Sequence, residues 1–149
     1  MHKLTRSIHD VLGPVIDAII CVTEARSDAL AKARIVTPGR IEGLLALVDT
    51  GSDTVAIDSV YARQLDLPVH SPMRFKAVDE YKWRFKCEVG VILICNDGKL
   101  LFDTPCYCFD ALKKRTGVDL IIGRDVLSRF RLDYDGPQQN FALCYEGNS

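Results

Sequence analysis

The apolar residues of this chain fall in short runs, and several alternate one for one with polar residues, the period of a strand packed on one face. Phe85, Cys87, Val89 and Val91 alternate with Lys86, Glu88 and Gly90. Phe130, Leu132 and Tyr134 alternate with Arg131, Asp133 and Asp135, and Phe141, Leu143 and Tyr145 alternate back after the turn Asp135-Gly136-Pro137. Strands are predicted as well at Pro14 to Val22, Ile41 to Val48, Val55 to Ile57, Met73 to Ala77, Trp83 to Cys95 and Lys99 to Cys108, the last two joined by the hairpin signal Asn96-Asp97-Gly98. The unbroken apolar runs Leu44 to Val48 and Leu120 to Ile122 read as strands buried on both faces. Helices are predicted from Glu24 to about Arg34 behind the cap Thr23, from Ser59 to Leu65 behind Asp58, and from Arg124 to Ser128; Ala111 to Arg115 reads as a loop or a single helical turn. Residues 1–10 are polar and mixed and read as a flexible lead, and 23–40 as a helical excursion between the first two strands. Many short strands with two or three short helices make a mostly-β domain, of closed-barrel or orthogonal-sandwich type.

Composition narrows the function classes. At 149 residues the chain is expected to form a single domain, 1–149, with one core. A formal net charge of −1 argues against a nucleic-acid partner. No run approaches the ~18 apolar residues of a membrane span, and the acids Asp10 and Asp17 do not suit a signal peptide. The six cysteines lie mainly in strand-like segments, so they read as reduced core residues of a cytoplasmic protein. Cys106-x-Cys108 is not a zinc spacing, and His2, His9 and His70 are scattered; no metal and no cofactor is expected.

The candidate chemistry sits at Leu47-Val48-Asp49-Thr50-Gly51-Ser52, where an apolar strand runs into an acid and a glycine. A carboxylate at the end of a buried strand is costly unless it is paired or used. Aspartate there is also a common turn residue or helix cap, so the three residues alone do not decide. About seventy residues on, a second apolar strand closes in Leu120-Ile121-Ile122-Gly123-Arg124-Asp125. The two motifs, in this order and at this separation, resemble those of the retropepsin-like aspartic proteases, the single-domain relatives of retroviral proteases; the resemblance runs from about Leu44 to Leu143.

The resemblance implies a closed-barrel-like acid-protease fold with one catalytic loop per chain. It implies an aspartic endopeptidase that hydrolyses a polypeptide substrate with a water held by Asp49 and the same residue of a second copy, Asp49′, across a homodimer two-fold axis. Thr50 would hydrogen-bond across that axis, Gly51 and Ser52 would line the floor, and Asp53 would pair with Arg124 to tie the following helix to the loop. Ile121 would face a substrate pocket beside Gly123, and the hairpin at Val78, Tyr81 and Trp83 would be the covering flap. The chain departs from the retroviral pattern in Ser52 for the usual alanine, in a short flap tip without glycine, in the Glu24 to Arg34 helix, and in a C-terminal hairpin where those proteins end in a short interleaving strand. The glycine-free tip motivates an alternative: a catalytically silent dimerisation or protein-binding module.

Overall fold

The structure is a computed structural model that describes residues 2–69, 73–77 and 80–147, with the backbone course alone at 73–77 and 80–84. Its elements follow in the order β1 (His2–Ser7), β2 (Val15–Cys21), α1 (Glu24–Lys32), β3 (Ile41–Val48), β4 (Val55–Asp58), α2 (Ser59–Gln64), β5 (Met73–Ala77), β6 (Glu80–Cys95), β7 (Gly98–Phe109), α3 (Leu112–Thr116), β8 (Leu120–Ile122), α4 (Arg124–Leu127), β9 (Phe130–Asp135) and β10 (Asn140–Tyr145). Six strands close a barrel in the order β2-β3-β8-β4-β7-β6, with β6 returning to pair with β2. Closure leaves no edge among these six, and the inward side chains fill the interior. Ile16, Ile20, Val55, Ile57, Val89, Leu93, Leu120 and Ile122 are all at most 1% exposed.

Local chemistry explains the short elements. The Thr23 side chain accepts the Arg26 N–H at 3.1 Å and starts α1; Asp58 accepts the Val60 N–H at 3.1 Å and starts α2. The turn after Cys95 is as tight as Asn-Asp-Gly predicts, with Cys95 paired to Gly98.

Three sequence expectations are corrected. Residues 2–7 form strand β1, because Leu4 inserts into the core at 1% exposure and the strand pairs with β10 along its whole length. Strand β3 is fully buried on one face only: Leu44, Ala46 and Val48 point inward, while Leu45 and Leu47 are half-buried. The expected tip Val78 to Lys82 is too long, since Ala77 pairs with Glu80; residues 78 and 79 lie outside the described residues.

A second sheet, β1-β10-β9, is antiparallel and packs on the barrel through Phe102 of β7, whose ring lies 5.6 Å from Phe130 and 5.7 Å from Tyr145. All six cysteines are free, five of them buried. Cys87 and Cys108 bring their sulfurs to 3.2 Å; hydrogen bonding to these two neighbours and then burial push the Cys106 thiol up, which suits a reduced core cluster. Among the described residues no helix is long and apolar enough to cross a membrane.

Among the described residues two acids are buried, Asp58, which caps α2, and Asp119. Asp119 is 5% exposed and accepts the Leu45 N–H at 2.8 Å, the Tyr61 hydroxyl and the Lys113 ammonium at 3.1 Å. Burial pushes its carboxyl up, but these three donors outweigh that and hold it below the usual range. Burial and then the Asp119 hydrogen bond push the Tyr61 phenol up, so it stays protonated as the donor. A lowered carboxyl contributes stability that is complete above the ordinary aspartate range and is lost as pH falls through the lowered value. Asp119→Ala, which leaves buried donors unmet, is expected to cost about 3 kcal/mol at neutral pH. Asp119→Asn is expected to flatten the fall of melting temperature on acidification; thermal melts by circular dichroism at several pH values check both.

Candidate active site

The loop from Asp49 to Thr54 owes its shape to strand order. It joins β3 to β4, yet these strands are not neighbours: β8 lies between them, parallel to β3 and antiparallel to β4. The loop therefore crosses the end of β8, directly over Gly123. A Cβ at Gly123 would stand 2.3 Å from the Thr54 carbonyl oxygen and 2.7 Å from the Thr54 nitrogen. Its φ of −96° is open to any residue, so contact and not conformation selects glycine there.

Hydrogen bonds fix the loop from both sides. The Asp49 N–H donates to the Ile122 carbonyl at 3.0 Å, and the Ser52 N–H to the Asp49 carbonyl at 3.2 Å. Asp49 Oδ1 accepts the Gly51 N–H at 2.8 Å, which orients the carboxylate. The Ser52 hydroxyl donates to the Thr54 carbonyl at 2.8 Å. From the other side, the backbone N–H groups of Arg124 and Asp125 donate to the carbonyls of Ser52 and Asp53 at 2.8 and 3.1 Å. The Arg124 guanidinium forks between the Thr50 carbonyl, at 2.8 Å, and the Asp53 carboxylate. Both charged side chains are more than half exposed, at 54% and 78%, so the pair contributes little to stability; it acts by position.

A residue that sequence reading missed completes this clamp. Asp125 Oδ2 accepts the Val55 N–H at 3.3 Å and the Thr104 hydroxyl at 3.1 Å, and Oδ1 accepts the Val126 N–H at 2.9 Å. One carboxylate thus ties α4 to β4 and β7. It is the last residue of the second motif, but acids at helix starts are too common for the position alone to signal this role.

Asp49 is half-buried and borders a cleft of about 370 Å³. Ile121 and Ala56, cross-strand partners on β8 and β4, line it, and Phe109 and Leu112 close it from the end of β7 and the start of α3. Sequence reading placed Ile121 at the pocket but overlooked Phe109 and Leu112. The available signal was two large apolar residues bracketing a turn just ahead of the second apolar strand. That turn needs Ala111 in the left-handed region, at φ 58°.

The structure thus gathers Asp49, Thr50, Gly51, Ser52, Asp53, Ile121, Gly123 and Arg124 at one end of the barrel. Thr50 and Gly51 are exposed there, and Gly123 is buried. For the expected flap, Val78 lies outside the described residues, and Tyr81 and Trp83 lie on β6 with side chains outside the description. Among the described residues no group of three or more His, Cys, Asp or Glu side chains has a metal-holding arrangement.

Comparison with known proteins agrees with the architecture. No family model matches the chain, and no curated protein matches it in sequence. Among solved structures, a retropepsin-like aspartic protease from Rickettsia conorii is similar over 95% of this chain and 89% of that one, with a TM-score of 0.57 and 12% identity. The fold is therefore the retropepsin-like β barrel.

Two glycines separate contact from flexibility as the constraint. Gly123→Ala must displace the Thr54 backbone, and is expected to cost about 3 kcal/mol as an overpacked site. Gly39→Ala, with nothing within 4 Å of the added carbon, is expected to change stability by less than about 0.5 kcal/mol. Urea unfolding midpoints of the two variants test the contrast.

Proposed function

We propose that the chain is an aspartic endopeptidase that works as a homodimer, with the two copies of Asp49 forming one catalytic pair. The observation that carries this reading is the placement of Asp49: a half-buried carboxylate, oriented by the Gly51 N–H, at the mouth of a cleft that Ile121, Phe109 and Leu112 line opposite the polar loop, with one such loop per chain. Peptide hydrolysis asks for a base to take a proton from water and an acid to give one to the carbonyl. Two carboxylates within hydrogen-bonding reach cannot both ionise, so they share one proton and supply both roles.

In the proposed reaction the ionised carboxylate takes a proton from the water as its oxygen attacks the carbonyl carbon. The protonated partner gives its proton to the carbonyl oxygen, and a neutral gem-diol forms. A carboxyl then protonates the amide nitrogen while the other removes a diol proton; the C–N bond breaks, leaving an acid and an amine. Thr50 of each copy bonds across the axis, and the Gly51 carbonyl faces the substrate backbone. Ile121, with Phe109 and Leu112, receives an apolar side chain of the substrate. The β5–β6 hairpin, with Val78, Tyr81 and Trp83, covers the bound peptide. Arg124 and Asp53 are positioning residues, holding the loop through the Thr50 carbonyl.

Cleavage of a denatured protein substrate, followed from acid to neutral pH, tests the reading. Wild type is expected to cleave, and Asp49→Asn to lose about 1,000-fold in rate, roughly 4 kcal/mol of transition-state stabilisation. A wild-type dimer that cleaves nothing across that range leaves a silent dimerisation module instead.

A further inference from the structure

The outer sheet offers an edge that the chain itself does not use. In the order β1-β10-β9, β10 is covered on both sides, and β9 forms the border. Among the described residues no strand pairs with the outer edge of β9. An open edge presents unpaired N–H and C=O groups, a template for another strand. This one is held rigidly: Phe130 packs against Phe102 and Tyr145, at 5.6 and 5.4 Å, and the strand pairs with β10 along its length.

The sequence of that edge is self-complementary. It reads Phe130-Arg131-Leu132-Asp133-Tyr134-Asp135, a base just before the central leucine and an acid just after it. Two copies joined antiparallel about a two-fold axis normal to the sheet must place some β9 residue opposite itself. Centred on Leu132, Arg131 faces the second copy's Asp133 and Phe130 faces its Tyr134; Arg129 lies in the turn before the strand, its guanidinium 5.3 Å from the centre of the Phe102 ring. Centred one residue earlier, Arg131 faces Arg131; one later, Asp133 faces Asp133. Two earlier, only Phe130 of the strand overlaps its counterpart; two later, Asp133 faces Asp135. Of these five registers, only the Leu132-centred one overlaps most of the strand and sets no like charges opposite, and like charges at that spacing are destabilising. Arg131 and Asp133 are 63% and 57% exposed and pair with each other at 3.4 Å within one chain, a contact that the join exchanges for the same pairing between copies; Tyr134 is 59% exposed.

We infer that β9 is the dimerisation edge, pairing with β9 of a second copy in the Leu132-centred register to make one sheet, β1-β10-β9-β9′-β10′-β1′. This names the contact through which the homodimer of the proposed function forms, and it rests on that reading for its purpose. The strand lies directly after α4, which Arg124 and Asp125 bind to the Asp49 loop, so the edge and the site share one firm connection.

Charge reversal with mixing tests it. Asp133→Arg alone sets arginines opposite each other, and Arg131→Asp alone sets aspartates opposite. Each is expected to weaken self-association about tenfold. In an equimolar mixture of the two variants every facing pair becomes opposite in charge, and dimerisation is expected to return to within about threefold of wild type. Sedimentation velocity over a concentration series reads both, and the recovery on mixing shows that each variant is folded. Single variants that associate as wild type does, a mixture that stays monomeric, or a wild type that never dimerises would each overturn the inference. If the mixture recovers but neither it nor wild type hydrolyses peptide, the edge stands and the protease reading falls. If peptide hydrolysis depends on Asp49 while the single variants still dimerise, the protease reading stands and this edge falls.

Discussion

Strand β8 lies between β3 and β4, and the candidate site follows from that insertion. The chain leaves β3 at Val48 and must reach β4 at Val55, on the far side of β8. It can do so only by passing over the end of β8, so the loop and Gly123 meet in backbone contact. A side chain of any size at position 123 would lift the loop. The same crossing aims the Ile122 carbonyl at the Asp49 N–H, and the first N–H groups of α4 at the carbonyls of Ser52 and Asp53. The loop is thus fixed by main-chain bonds that do not depend on its exposed side chains.

Three aspartates show how environment assigns work to one residue type. Asp119 is buried, and its donors are the Leu45 N–H, the Tyr61 hydroxyl and the Lys113 ammonium; this carboxylate is structural and unavailable for chemistry. Asp125 gives its oxygens to Val55, Thr104 and Val126 and joins three elements. Asp49 takes the Gly51 N–H on one oxygen and lies at the edge of a cleft. A group that is to exchange protons with water and substrate needs that partial freedom, and a carboxylate surrounded by donors lacks it.

The sequence carried the elements whose cause is local. Hairpin register came from Asn96-Asp97-Gly98, the helix starts from Thr23 and Asp58, and the site loop from two apolar runs closing on Asp49-Thr50-Gly51 and Ile122-Gly123-Arg124. What escaped depends on distant partners. Strand β1 has a single deeply buried residue, Leu4, and becomes a strand because β10, far along the chain, pairs with it. The half-exposure of Leu45 and Leu47 reflects which strands cover β3, and a run of apolar letters cannot express that. Phe109 and Leu112 reach the cleft only because β7 runs parallel to β4 and ends beside it.

The segment from Asp119 to Asp135 concentrates these constraints. Asp119, buried, anchors its start to β3, β8 forms the wedge, Gly123 sets the closeness of the crossing, and Arg124 and Asp125 clamp the loop. Its last residues are the open edge, with Arg131 before Leu132 and Asp133 and Asp135 after it. In the proposed function a single acid loop completes its carboxylate pair from another copy, and the orientation of that copy must then be as well defined as the loop itself. Under the inferred β9 pairing, the edge lies a few residues beyond the clamp and would meet that requirement with short connections. Little chain lies between them that could flex and blur the approach of the second loop.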